Sequence, residues 1–152
     1  MKARVRYGDP RGHEISKEMT QSHGRGTVLV VDDEEEICRL LAEILALGDF
    51  RVATAQNGRE ALRLVEQEPP DLIILDLVMP EMDGVETLRR IRAQGNTTRV
   101  VILTAQGTAQ YAREAMALGV TEFLGKPFHL DRLLTLVAQE VGKAMRGEEQ
   151  RT

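Results

Sequence analysis

Residues 72 to 76, Leu-Ile-Ile-Leu-Asp, constrain the fold more than any other stretch of the chain. Four successive aliphatics with no polar interruption read as a strand buried on both faces, as in the middle of a parallel sheet. Such a strand needs helices above and below it, so the flanking sequence must alternate between strand and helix. Asp76 stands where the strand stops, before the turn-rich run Leu77-Val78-Met79-Pro80-Glu81-Met82-Asp83-Gly84. In open α/β sheets, ligands gather in the crevice outside the carboxyl ends of the strands, which is where this carboxylate lies. Taken alone, an aspartate there fits a turn cap better than a reactive site. The other strand ends decide between the two.

The chain does alternate. Thr27–Val31 reads as a first buried strand, followed by five acids, Asp32 to Glu36. Asp32 or Asp33 can cap the next helix, and acids in a first turn suit the helix dipole. That accounts for Glu34 to Glu36, but not for two adjacent aspartates at a strand end. The helix carries the stripe Ile37, Leu40, Leu41, Ile44 and Leu45 and stops at Gly48. Residues 50 to 55 form a weaker second strand. A helix through Ala61, Leu62 and Val65 follows and must end by Pro69-Pro70. After the central strand, a third helix presents Val85, Leu88 and Ile91 and closes near Gly95-Asn96. Residues 100 to 103 form the fourth strand, ending in Thr104, and a helix with Tyr111, Ala115 and Leu118 runs to Gly119. Residues 121 to 124 form the fifth, ending in Gly125-Lys126-Pro127-Phe128; the last helix carries Leu130, Leu133, Leu134, Val137 and Val141. Five repeats of strand and helix give a parallel sheet covered on both faces, with right-handed crossovers. The expected organisation is a flexible N-terminal extension over 1–26, one folded domain over 27–143, and a polar tail over 144–152.

Composition excludes several classes. With 42% hydrophobic and 29% charged residues, the chain matches a globular domain, not a disordered or fibrous one. No apolar run approaches a membrane span and the N-terminus lacks a signal-peptide core, so a cytoplasmic location is expected. Residues 1–26 carry six Lys/Arg against three acids, a balance of +3 that leaves −7 for the remainder of the net −4. An acidic body argues against direct nucleic-acid binding. The extension's two histidines, His13 and His23, read as solvated side chains. The single cysteine, Cys38, excludes an internal disulfide and reads as a small buried hydrophobe.

Four of the five strands end in polar residues of specific type, namely Asp32-Asp33, Asp76, Thr104 and Lys126, and all would face one crevice. Two carboxylates ~5 Å apart at an effective dielectric of about 20 repel by about 3 kcal/mol, so three acids call for a cation. Hard oxygen donors without His or Cys select Mg2+. With the ion bound, Asp76 becomes a nucleophile toward phosphorus. Lys126 and Thr104 would then supply positive charge and a hydrogen bond to phosphoryl oxygens. No residue stands out as a base to hydrolyse the product, which favours a persistent phosphate over a turnover enzyme.

Asp32-Asp33, the run from Leu75-Asp76 to Asp83-Gly84, Thr104-Ala105 and Lys126-Pro127-Phe128 together resemble the receiver domain of two-component response regulators, over about residues 26 to 143. The resemblance implies a flavodoxin-like (βα)5 fold with strand order 2-1-3-4-5. It implies Asp76 as phosphoacceptor, Asp33 as a direct Mg2+ ligand, Asp32 acting mainly through water, and the Val78 carbonyl completing the metal site. Thr104 and Lys126 would bind the phosphoryl oxygens, Phe123 matches the switch aromatic, and the Lys126–Pro127 peptide is expected to be cis. Phosphorylation would move Thr104 and its loop toward the phosphoryl group and let Phe123 turn into the vacated space. Implied partners are a sensor histidine kinase or phosphotransfer protein and a downstream effector. They would meet the face made by the fourth helix, fifth strand and fifth helix, through which a homodimer is also conceivable. Departures from the family pattern are Phe123 in place of a tyrosine, His129 where many relatives have Asp, and Val78 and Gln106 beside the site. Three rivals are weighed against this reading. A flavin binder would need phosphate-binding donors after the first strand, where this chain is acidic. A haloacid-dehalogenase-type phosphatase would need a second Asp at position 78, which is Val. A receiver-like interaction module that is never phosphorylated would dispense with the chemistry while keeping the fold.

Overall fold

The computed structural model describes residues 24–105 and 109–147, together with the backbone of a two-residue antiparallel pair, Tyr7–Gly8 with Glu14–Ile15. The expectations for His13, His23 and Gln106, for the flexible extension before residue 24 and for the tail beyond residue 147 concern residues outside this set. Ten elements alternate as expected: β1 (Thr27–Val31), α1 (Glu35–Leu47), β2 (Arg51–Ala55), α2 (Gly58–Gln67), β3 (Leu72–Asp76), α3 (Gly84–Ala93), β4 (Arg99–Thr104), α4 (Ala109–Ala117), β5 (Glu122–Gly125) and α5 (Leu130–Met145). The five strands form one parallel sheet in the order β2-β1-β3-β4-β5. This is the 2-1-3-4-5 order that the resemblance implied.

Side chains of successive strand residues point to opposite faces, and here both faces are buried. Val28, Val30, Leu72, Ile74, Val101 and Leu103 pack with Leu41, Leu45, Leu133 and Val137 of α1 and α5. Leu29, Val31, Ile73, Leu75, Val100 and Ile102 pack with Ala61, Val65, Leu88, Ile91 and Ala115 of α2, α3 and α4. Each large aliphatic fully buried in this way stabilises the fold by about 1.5–3 kcal/mol. The unbroken aliphatic runs 28–31, 72–75 and 100–103 inside β1, β3 and β4 thus reflect cover on both sides.

Helix ends follow the sequence signals with some corrections. Asn57 and Asp83 cap α2 and α3, accepting from the Glu60 and Glu86 amides at 2.8 Å each. The N-cap of α1 is Glu34, without a side-chain cap bond, and Asp32 instead accepts from the Glu34 amide at 2.9 Å. Neither Asp32 nor Asp33 is the cap residue, because the chain needs one further residue to turn off the strand. At the other end of α1, Gly48 keeps φ −86° and the left-handed residue is Asp49, at φ 69°. Leu40, Tyr111 and Leu130, read as inward-facing, are 40–47% exposed. In α1 the buried position next to Leu41 is Cys38, one step around the helix from the expected stripe. Helix α5 runs through Gly142 to Met145, and Arg25 already belongs to the folded body, its guanidinium 5.1 Å from the Phe50 ring centroid.

Candidate functional site

Strand register brings the site together. Val31 pairs with Leu75, so the residues one step on, Asp32 and Asp76, emerge side by side at the carboxyl edge. Asp76 pairs with Leu103, and Thr104 pairs with Gly125, which places Thr104 and Lys126 along the same edge. The Lys126 amide donates to the Thr104 carbonyl at 2.7 Å. The Lys126–Pro127 peptide is cis, as expected.

Carboxylate oxygens of Asp32, Asp33 and Asp76 lie within 4.8 Å of one another. Asp32 is fully buried and Asp76 is 5% exposed, whereas Asp33 is exposed. The Asp76 carboxylate accepts from the Val78 amide at 3.1 Å. The Lys126 ammonium lies 2.8 Å from Asp32 and 3.5 Å from Asp76. Burial, then the neighbouring Asp32 charge, pushes the Asp76 carboxyl up to about 6; the Val78 amide and Lys126 only partly offset this. Burial alone would lower the Lys126 pKa, but the hydrogen bond to Asp32 and the Asp76 charge outweigh it and the ammonium is held above its ordinary range. A crevice that disfavours ionisation of Asp76 is one that a divalent cation would relieve. All-oxygen donors with one exposed and two buried carboxylates fit Mg2+ in type and number.

The loop between Asp76 and α3 is tightly built. The Gly84 amide donates to the Leu77 carbonyl at 2.9 Å, and a Cβ at position 84 would overlap the Asp76 carbonyl oxygen. Glu81 takes a left-handed φ of 66°. The Val78 side chain is 54% exposed beside the site.

The other expected residues are near, in different states. The Thr104 hydroxyl donates to the Ala105 carbonyl at 3.1 Å and is partly exposed. Phe123 is half-buried against the face formed by α2, α3 and α4. Asp32 carries more than the sequence reading gave it. Its amide donates to the Ala55 carbonyl at 3.1 Å, its carbonyl accepts from the Cys38 thiol at 3.3 Å, and its two carboxylate oxygens accept from Glu34 and Lys126. No local sequence signal marks the pairing of Asp32 with a lysine 94 residues away.

The protein-family model described as the response regulator receiver domain matches residues 28–138. The chain is 39% identical over 110 residues to the regulatory protein AtoC of Escherichia coli, covering 72% of this chain and 24% of AtoC, so it spans about a quarter of that relative's length. It is 38% identical over 106 residues to sporulation initiation phosphotransferase F of Bacillus subtilis, covering 70% of this chain and 86% of that protein. Among solved structures, the chemotaxis protein CheY4 of Vibrio cholerae superposes with a TM-score of 0.70 at 34% identity, covering 74% of this chain and 96% of that one. Sheet order, the aspartate cluster at the carboxyl edge and these matches place the chain in the response regulator receiver domain family of two-component systems.

Proposed function

We propose that this receiver domain accepts a phosphoryl group on Asp76 from a phosphohistidine of a sensor kinase or phosphotransfer protein. The observation that carries this reading is Asp76 itself, a nearly buried carboxylate flanked by two further aspartates and the Lys126 ammonium at one sheet edge. One Asp76 oxygen forms a bond to phosphorus as the phosphorus–nitrogen bond breaks. The ring nitrogen keeps the electron pair, and the imidazole leaves neutral because its second nitrogen carries the proton. Asp33, Asp76 and the Val78 carbonyl would hold Mg2+, with Asp32 at longer range; the ion supplies charge neutralisation at the phosphoryl oxygens. Lys126 neutralises a second oxygen, and Thr104 turns its hydroxyl from the Ala105 carbonyl toward a third. The chain thus acts as a phosphoacceptor that assists its own phosphorylation and slow dephosphorylation, not as a turnover enzyme.

Adding a phosphoryl group changes the local charge by only about −1. The signal therefore comes from new contacts. A hydrogen bond to a charged group contributes about 1.5–3 kcal/mol, whereas inverting a 1:99 equilibrium takes about 5.5 kcal/mol. Thr104 must act together with Phe123, which turns inward as the Thr104 loop moves, so that α4, β5 and α5 present an altered face to an effector.

Intact mass after incubation with acetyl phosphate and Mg2+, beside Asp76→Asn, tests the reading. A single phosphoryl adduct that needs Mg2+ and is missing in the variant is expected. A folded, Mg2+-binding protein that takes up no phosphoryl from either acetyl phosphate or a kinase would point instead to an interaction module that works unphosphorylated.

A further inference from the structure

The strands that lead to Thr104 and Lys126 begin at the opposite edge of the sheet, the foot, where buried and half-buried charged groups outside the candidate site hold them. Glu140 of α5 is 2% exposed and accepts from the Thr121 hydroxyl at 2.6 Å and the Arg99 guanidinium at 3.2 Å. Arg99 is the first residue of β4 and Thr121 immediately precedes β5. One carboxylate therefore ties α5 to the feet of both strands. Next in the fold, Arg92 at the end of α3 donates to the carbonyls of Leu118 at 2.8 Å, Asn96 at 3.1 Å and Thr98 at 2.8 Å. Leu118 follows the last residue of α4, so this guanidinium fastens the carboxyl end of α4 to the segment entering β4.

The head ends of the same helices are held differently. Gln110 and Tyr111 in the first turn of α4 are exposed. The N-cap of α5, His129, makes no side-chain cap bond and is followed by the exposed Leu130.

We propose that β4, α4, β5 and α5 act as a lever pinned at its foot by Arg92 and Glu140, so that occupation of Asp76 rearranges the head halves of α4 and α5 while their foot halves stay in place. This rests on the reading of Asp76 as phosphoacceptor. The one or two hydrogen bonds that a phosphoryl group gains at the head cannot outweigh five made at the foot by the half-buried Arg92 and the buried Glu140. The head is the part that yields.

Residue-resolved amide exchange with Mg2+, with and without beryllofluoride as the phosphoryl mimic, tests the lever, with the bound mimic read from its fluorine resonance. Exchange should change by about tenfold or more at residues 109–112 and 130–133 and stay within about twofold at 115–119 and 138–142. In Arg92→Met the change should spread to 115–119, and in Glu140→Gln to 138–142. Arg92→Lys is the milder variant should Arg92→Met not fold, and the wild-type comparison stands without either. Equal change, or none, in both halves of the wild-type helices overturns the lever while leaving the phosphoacceptor intact. A missing fluorine resonance removes the Asp76 reading, and the lever with it.

Discussion

Asp32, whose carboxylate has no exposure to solvent, holds the Lys126 ammonium at 2.8 Å. Removing one partner of a buried pair leaves the other uncompensated, at a cost of about 3–5 kcal/mol. Lys126→Met should fall near the lower figure, because the lysine side chain keeps 19% exposure. Urea unfolding in chelator should show the loss, and added Mg2+ should restore more stability to the variant than it adds to wild type, since the cation replaces the missing charge. Equal Mg2+ stabilisation of both proteins would contradict this.

The Asp76 carboxyl, raised from 3.8 to about 6, sets a pH dependence of metal-free stability. Between those values the folded chain binds the proton more tightly than the unfolded one, so this group makes stability fall as pH rises through the window. A rise from 3.8 to about 6 corresponds to about 3 kcal/mol. Asp76→Asn should therefore be more stable than wild type at pH 7 in chelator, with the difference fading toward pH 4. Carbon NMR titration of the Asp76 carboxyl gives the value directly.

Glu140 behaves in the opposite sense. Burial would raise its pKa, but the Thr121 hydroxyl and the Arg99 guanidinium outweigh that and hold it below the usual carboxylate range. Its stabilisation is complete above the unfolded pKa and disappears as pH falls through the folded one. Glu140→Ala should cost about 3–5 kcal/mol at pH 7, the range for breaking a buried pair. The penalty should shrink in acid, as measured by denaturant unfolding at several pH values.

Glu81 keeps a left-handed φ of 66° in the loop after Asp76. A side chain in that conformation costs roughly 1–2 kcal/mol, part of which glycine gives back through greater freedom in the unfolded chain. Glu81→Gly should stabilise the domain by about 0.5–1 kcal/mol, read as a raised melting temperature. Gly84→Ala should do the reverse, since the added methyl meets the Asp76 carbonyl oxygen.

Much of this molecule was legible because its determinants are local. The four-aliphatic run of β3, the acids after β1 and the glycines after α3 and α4 each declare an element from a few residues. Their spacing alone puts Asp32, Asp76, Thr104 and Lys126 on one edge. What escaped is what depends on distant partners. Nothing local marks Arg99 and Glu140 for burial; they are buried because each meets the other, with the Thr121 hydroxyl joining them from the edge. The bond from Thr27 to Asp71 at 2.9 Å, which closes the foot of β1 against β3, has the same character. Errors of face arose where the apolar period admits two answers: Leu40 and Cys38 both fit a stripe containing Leu41, and the position of α1 over the sheet selects Cys38.

Cys38 is the only cysteine of the chain, 3% exposed, with its thiol pushed up to about 12 by burial and by the Asp32 charge. Since only a thiolate reacts at useful speed, a thiol reagent finds no target while α1 rests on β1. The chain thus contains its own stopwatch: with reagent fast enough to outpace reclosing, the rate at which Cys38 becomes labelled is the rate at which that helix lifts from the sheet beside the aspartates.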